Sequence, residues 1–402
     1  MELYIITVSL IFFIIMGVAE KRKNDKNIEQ IPIRINVNGI RGKSTITRMI
    51  TSVLAEAGYN TVGKTTGTAP RIINNQLREE IEIVRRPKGV SISEQIDVID
   101  YAKNKEAEAL VCECMAVNPD YQKVYQESMI QANIGVIINV LEDHLDLMGP
   151  SLDEIALAFS TTIPKSGTVI VQNNEYLSYF KKEAYRKNAR VIVADENEIP
   201  EGYLEKFNFV VFPNNVAITL AVAKSLGIEK DVALSGMLEM NPDPGTLTID
   251  EINDGVSRYT FANGFAVNDP SSALEIWDML LENVITDQSQ KPIILFNGRP
   301  DRVDRSEQFA EDFFSKIDTP FDAIIIGESL NCFETLDELK EEYNITDLKI
   351  FDSVSTQEVI SQIGESLDGR FVFGVGNIHG HGYDFLEHIN RYKIDMEQIY
   401  EH

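Results

Sequence analysis

Ile33-Arg-Ile-Asn-Val-Asn38 runs directly into Gly39-Ile-Arg-Gly-Lys-Ser-Thr45, and an apolar series at helical spacing follows through Ile46, Met49, Ile50, Val53, Leu54 and Ala57, with Gly58 as the stop. Alternating Ile33, Ile35 and Val37 predict a strand, and the 3.6-residue period predicts a helix. A Gly-rich turn between strand and helix is where a phosphate loop must lie. Gly39 and Gly42 let the backbone approach an anion closely, and the helix N-terminus aims its N–H groups at it. Lys43 can reach the β- and γ-phosphates, and the Ser44 hydroxyl can bind Mg²⁺. Asn38, Ile40, Arg41 and Thr45 complete the candidate ATP-binding stretch. Its Gly-x-x-Gly-Lys-Ser spacing is shorter than the common phosphate loop.

Charge around the loop agrees. Residues 31–90 carry 10 Lys/Arg against 4 Asp/Glu, a net of +6, within a chain of net charge -26. A basic island in an acidic protein points to a local anion site, and the acidic remainder argues against nucleic acid as a partner. Working outward, buried parallel strands are expected at Ala109–Cys112, Ile134–Val140, Thr168–Val171, Val191–Ala194 and Phe209–Phe212. The Asn241-Pro-Asp-Pro-Gly245 breaker is followed by a second series at Pro292–Phe296, Ala323–Gly327 and Phe371–Val375. Alternation of strands with helical stretches predicts an α/β fold: a phosphate-loop domain with a mainly parallel sheet over 31–244, and a smaller Rossmann-like α/β domain over 245–402.

Leu3–Ala19 is uncharged, and Lys21, Arg22, Lys23 and Lys26 follow it. That pattern predicts a membrane anchor at 1–20, with residues 21–30 as a linker. The positive flank places 21–402 in the cytoplasm. Three cysteines, Cys112, Cys114 and Cys332, fit neither a disulfide framework nor the usual zinc spacing, so reduced thiols are expected.

The short loop resembles that of the Mur ligase family, which includes the folylpolyglutamate synthetases. Three further segments carry the resemblance in the same order. Glu113 ends the strand Ala109–Cys112. Asn139-Val-Leu-Glu-Asp-His-Leu-Asp146 looks like the family's Asn-x3-Asp-His-Leu-Asp motif. Pro213-Asn-Asn-Val-Ala217 opens a helix. Weaker similarity lies in Phe265–Pro270, Gly298–Arg305 and Gly374–Gly380. Within the family, Asn36–Thr45, Gly63–Thr68, Glu113–Tyr121 and Val375–Gly380 look like the ligase subunit of bacterial poly-γ-glutamate synthetases.

The resemblance implies an ATP-dependent amide ligase that activates a carboxylate as an acyl phosphate. It implies Mg²⁺ ligation by Ser44, Glu113 and His144, with Thr66 as a further contact, and adenine recognition by Asn215. Lys43, Glu113 and His144 are then the catalytic set. Thr68, Arg71, Arg299, Arg302, Arg305 and His379 are candidates for binding substrate, since guanidinium groups pair bidentately with carboxylates. Implied partners are glutamate, the growing polymer, the membrane and membrane-embedded synthesis and export subunits; a homo-oligomer is compatible. Two readings stand beside this one: a folylpolyglutamate-type ligase acting on a soluble acceptor, and an anchored ATP-binding module that regulates an exporter. The lysine that many members carbamylate has no counterpart in 155–162, with Lys165 just beyond. The family's Asp-Tyr-Ala-His segment reads Gly264-Phe-Ala-Val267.

Overall fold

A computed structural model describes residues 2–66, 70–74, 79–83, 94–142, 145–207, 209–242, 246–267, 269–285 and 291–394. Two compact units emerge, Met1–Phe207 with Val211–Asp243, and Asn208–Val210 with Pro244–His402.

The first unit is built on eight strands: β1 Ile33–Asn38, β2 Thr61–Lys64, β3 Arg71–Asn74, β4 Glu79–Glu82, β5 Ala109–Glu113, β6 Ile134–Ile137, β7 Thr168–Val171 and β8 Arg190–Val193. Their order is β4-β3-β2-β5-β1-β6-β7-β8. β1 lies between β5 and β6 and is parallel to both. The six strands from β2 to β8 across the sheet run parallel, and β3 runs antiparallel to both of its neighbours, β2 and β4. Strand order reverses on either side of β1, so the carboxyl end of β1 is the place where such sheets open a binding crevice. Ile35 and Val37 are fully buried against Ile46, Ile50 and Leu54 of the following helix.

Four helices matter for the site: α1 Glu2–Glu29, α2 Lys43–Glu56, α3 Glu94–Asn104 and α4 Pro119–Val124. The last passes without a break into a π-helix, Tyr125–Ile130. Residues 21–30 are not the linker that their polarity suggests. α1 continues through them to Glu29, and Asn24, Asn27 and Ile28 are buried. Polar residues read as a solvated tether are here the contact face of a docked helix. Its preceding run is exposed on all sides and is long and apolar enough to cross a membrane.

The expected strand Phe209–Phe212 also fails. Phe209 and Val211 are buried, but the segment makes no strand ladder; Val210 N–H donates to Leu247 O at 2.9 Å. Its apolarity serves packing of a connecting segment.

The second unit is a six-stranded sheet of β9 Thr248–Asn253, β10 Arg258–Gly264, β11 Ile293–Asn297, β12 Phe321–Gly327, β13 Ile345–Asp352 and β14 Phe371–Val375, in the order β13-β12-β11-β14-β10-β9. Only β9 is antiparallel to its neighbour. An aromatic core holds one face: Phe296 packs on Phe309 and Phe333 with ring centroids 5.0 and 4.9 Å away.

Candidate functional site

β1 delivers the loop Gly39–Gly42 to the N-terminus of α2. Gly39 has φ +140° and Gly42 φ +80°, values that L side chains rarely adopt. A Cβ on Gly39 would lie 2.9 Å from Ile138 Cβ, so the loop rests directly on the chain leaving β6. The first hydrogen bond of α2 is Ile46 N–H to Gly42 O, which leaves the earlier N–H groups at the helix mouth for an anion. Lys43 sits over that mouth, its Nζ donating to Gly39 O at 2.8 Å and Ile40 O at 3.0 Å.

The loop's shape is set from two sides. Asn38 Oδ1 accepts from Gly39 N–H at 2.9 Å, while its Nδ2 donates to Gln122 Oε1 at 2.9 Å. That side chain is buried and braces the loop from beneath. From the other side, Asn139 Oδ1 accepts from Ile40 N–H at 2.9 Å and Arg41 N–H at 3.0 Å, and Nδ2 donates back to Arg41 O at 3.3 Å. One carboxamide thus satisfies three backbone groups of the loop. The expected strand Ile134–Val140 ends at Ile137. The chain then departs from the ladder at the residues that hold this clamp.

Glu113 closes β5 beside β1 and is 3 % exposed. Ser44 Oγ donates to Glu113 Oε2 at 2.8 Å, and Thr66 N–H donates to the same oxygen at 2.7 Å. Phosphate loop, β5 and the segment after β2 therefore converge on one carboxylate. A hydroxyl and a carboxylate at a phosphate site suit Mg²⁺, which takes few protein ligands and keeps phosphate oxygens and waters for the rest. Among the described residues no group of three or more His, Cys, Asp or Glu side chains could hold a metal ion by itself. His144 and Thr68 lie outside the described residues.

Asn215 is on the helix Pro213–Ser225, with its carboxamide beside Gly42: a Cβ there would meet Asn215 Oδ1 at 3.2 Å. Next to it, at the carboxyl ends of β7 and β8, is a cavity of about 790 Å³ lined by Gln172, Asn173, Asp195, Asn197 and Asn214 among others. The polar ends of those strands carry no motif, and sequence reading passed over them.

Another pair that sequence reading left out is Lys64 with Glu94. Lys64 is fully buried at the end of β2, and its Nζ meets Glu94 Oε1 at 2.9 Å. It lies immediately before Thr65 and Thr66, and so fixes the strap that supplies the N–H to Glu113. Arg71, on β3, sits 3.6 Å from Glu82 across the hairpin, and its N–H donates to Thr65 Oγ1 at 3.2 Å.

In the second unit the loops after β11 and β14 meet. Asn297 Nδ2 donates to Asn377 O at 2.6 Å and His379 O at 2.9 Å. Arg299 pairs bidentately with Asp301 at 2.8 and 2.7 Å, which lowers the pKa of that carboxyl. His379 is lowered from its ordinary pKa, first by burial and then by the nearby Arg299 charge. Arg302 is exposed just ahead of the helix Val303–Asp312, and Arg305 is half-buried on that helix. Sequence reading named the arginines and missed Asn297, which ties the two loops together.

Residues 37–240 match the Mur ligase middle domain. Residues 249–392 match the poly-gamma-glutamate synthase CapB C-terminal domain. The chain belongs to the Mur ligase family, in its CapB branch. The capsule biosynthesis protein CapB of Bacillus anthracis is 47 % identical over 401 residues, covering 98 % of this chain and 84 % of that protein. PGA synthase CapB of Bacillus subtilis (strain 168) is 45 % identical over 394 residues, covering 98 % of this chain and 99 % of the other. Folylpolyglutamate synthase from Thermotoga maritima superposes with a TM-score of 0.66 at 15 % identity, covering 94 % of each chain. MurF from Acinetobacter baumannii gives 0.60 at 16 %, over 92 % of this chain and 79 % of that one. These two structures share the fold. As a Mur-type ligase the protein forms amide bonds with ATP and a divalent metal.

Proposed function

We propose that this ligase joins glutamate units through their γ-carboxyl groups into poly-γ-glutamate, at the cytoplasmic face of a membrane. The observation that carries the chemistry is the convergence of Lys43, Ser44 and Glu113 at the mouth of α2. The relatives named for capsule and PGA synthesis, 45–47 % identical, support the substrate. The folate-type alternative has only fold-level likeness of 12–15 % identity behind it.

In this reading the loop Gly39–Thr45 cradles the phosphates of ATP. Asn215 and the cavity beside Asn214 take the adenosine, whose base suits carboxamides and whose ribose hydroxyls suit Asp195. The divalent ion is Mg²⁺, held by Ser44 and Glu113 with His144, and it supplies charge neutralisation at the transferring phosphoryl group. Lys43 supplies a fixed positive charge there. A glutamate carboxylate attacks the γ-phosphate and ADP leaves; the amino group of another glutamate then attacks the acyl carbon, and phosphate leaves. Arg71, Thr68, Arg299, Arg302, Arg305 and His379 are the candidates for holding substrate carboxylates.

Leu3–Ala19 spans the bilayer, with the catalytic units cytoplasmic behind Lys21–Lys26. A polyanion cannot cross hydrocarbon unaided, so multi-spanning partner subunits are expected beside the anchor. The test is release of ADP and phosphate from membranes containing those subunits. Release that is strictly glutamate-dependent, with polymer formed, is expected; release indifferent to glutamate overturns the proposal.

A further inference from the structure

The segment between the apolar run and the first strand behaves unlike a tether. α1 is one uninterrupted helix from Glu2 to Glu29. Residues 4–18 are exposed all round, whereas Asn24, Asn27 and Ile28 are 3 %, 6 % and 3 % exposed. What buries them is specific. The π-helix ends at Gln131, whose φ of +45° stops it, and a helix end leaves its last carbonyls without intrahelical donors. Asn24 Nδ2 supplies the donor, to Met129 O at 2.9 Å and Ser128 O at 3.3 Å. Asn27 Nδ2 donates to Asp100 Oδ1 on α3 at 3.0 Å, and Lys23 Nζ reaches the same carboxylate at 2.9 Å. Gln131 Nε2 donates to Asp25 Oδ1 at 2.9 Å. Ile28 and Ile31 enter the cluster formed by Val98, Ile99, Tyr125 and Ile130.

We propose that α1 is a rigid strut, its first half in the bilayer and its second half bolted to α3 and the π-helix, so that the ATP-binding unit holds one height and one attitude on the membrane. The inference rests on the membrane reading above and adds the stiffness. The apolar half of about 17 residues is about 26 Å long, close to the hydrocarbon thickness. Asn24 lies five helical steps beyond Ala19, about 8 Å along the axis. The face made by α3 and the π-helix therefore lies at headgroup level. The bolt also continues inward. Gln126 of the π-helix accepts from Asn36 Nδ2 at 3.0 Å, and Gln122 of α4 accepts from Asn38, which holds Gly39. Direct contacts thus run from the anchor to the phosphate loop, and the strut places that loop, with the acyl phosphate made there, at a fixed distance from the bilayer.

The test uses the full chain in vesicles of phosphatidylcholine with a minority of phosphatidylglycerol. It compares the native sequence, an Asn24→Ala/Asn27→Ala variant, and a variant with a short Gly-Ser insertion between Glu20 and Lys21. Sedimentation with vesicles reads anchoring. Trypsin cleavage at Lys21–Lys26 reads the bolt. Energy transfer from a dye at Tyr185→Cys, with Cys332→Ser, to labelled headgroups reads the distribution of heights. The native chain is expected to sediment, to be cut about tenfold more slowly than the Asn24→Ala/Asn27→Ala variant because the docked helix must open first, and to show one narrow distance. Both variants are expected to sediment equally and to give a broad distance. A native chain that sediments yet matches the Asn24→Ala/Asn27→Ala variant in cleavage and the insertion variant in breadth overturns the strut alone. A native chain that stays in solution overturns the membrane reading and the strut with it.

Discussion

Ser44, in the first turn of α2, and Glu113, at the end of β5, meet at 2.8 Å, with the hydroxyl donating to a carboxylate that also receives Thr66 N–H. The parallel register makes this possible: Val37, the residue before Asn38, is paired with Glu113 across β1 and β5. The loop that leaves β1 and the residue that ends β5 must therefore share one edge. Under the proposed function, these two side chains would hold the divalent ion in place of their contact with each other.

Ser44→Ala and Glu113→Gln are expected to raise the divalent-ion concentration needed for half-maximal ADP formation. Lys43→Met is expected to lower kcat by about 10²–10³-fold, the usual loss for one group that stabilises developing charge. Circular dichroism should stay native in all three, since none packs a core. Wild-type turnover in folded Lys43→Met protein would remove the phosphate assignment.

Asn139→Ala removes a carboxamide that satisfies Ile40 N–H, Arg41 N–H and Arg41 O together. Leaving buried backbone groups unpaired costs about 1–3 kcal/mol. The loop then samples shapes that cannot wrap phosphate, so KM for ATP is expected to rise about tenfold or more, with kcat changing less. Equal KM values for variant and wild type in steady-state kinetics would show that the clamp is dispensable.

Much of this was readable in advance because local signals and tertiary demands agree. Ile33, Ile35 and Val37, then Gly39 and Gly42, then the period of α2 each specify the same strand, turn and helix. Glu113 was legible because the run Ala109–Cys112 is apolar and a charge ends it. The misses share a cause. Asn24 and Asn27 look solvated until α3 and the π-helix supply their partners. Lys64 reads as a loop lysine until Glu94, 30 residues on, closes over it. Phe209–Phe212 has strand composition, but ladder pairing is decided by neighbours that sequence spacing does not reveal. Strands β4, β9 and β13 carry several charges, and β3 and β10 mix their apolar residues with polar ones, so no apolar run announces them.

Lys64→Met is expected to destabilise the first unit more than its size suggests. Glu94 would keep its charge in a site where its side chain is 16 % exposed, having lost the Lys64 ammonium. Breaking one partner of such a pair costs about 3–5 kcal/mol, whereas replacing both is often near neutral. Urea unfolding should show the single variant well below wild type and Lys64→Met/Glu94→Gln partly restored. A single variant as stable as wild type would mean that the ion pair contributes nothing to holding the strap.

The buried thiols give a pH signature. Burial pushes Cys112 up to about 11 and Cys114 up to about 12, the nearby Lys64 charge offsetting part of each rise. An unfolded thiol titrates near about 8.5. Between about pH 8.5 and 11 the unfolded chain has released these protons and the folded chain has kept them, so stability falls as pH rises. Each thiol contributes about 1.4 kcal/mol per pH unit in that window and nothing below it. Unfolding midpoints in urea at pH 8 and pH 9.5 should separate for wild type and separate less for Cys114→Ala, the difference between the two chains isolating the thiol from the tyrosines, whose ordinary pKa is about 10. The same burial predicts the order of modification. Half-buried Cys332, also raised by burial, should react with an aromatic disulfide reagent in the folded protein at pH 8. Cys112 and Cys114 should react only on unfolding, because they are fully buried and neutral. Rapid loss of all three thiols from folded protein would mean that β5 opens far more readily than its place beside β1 allows.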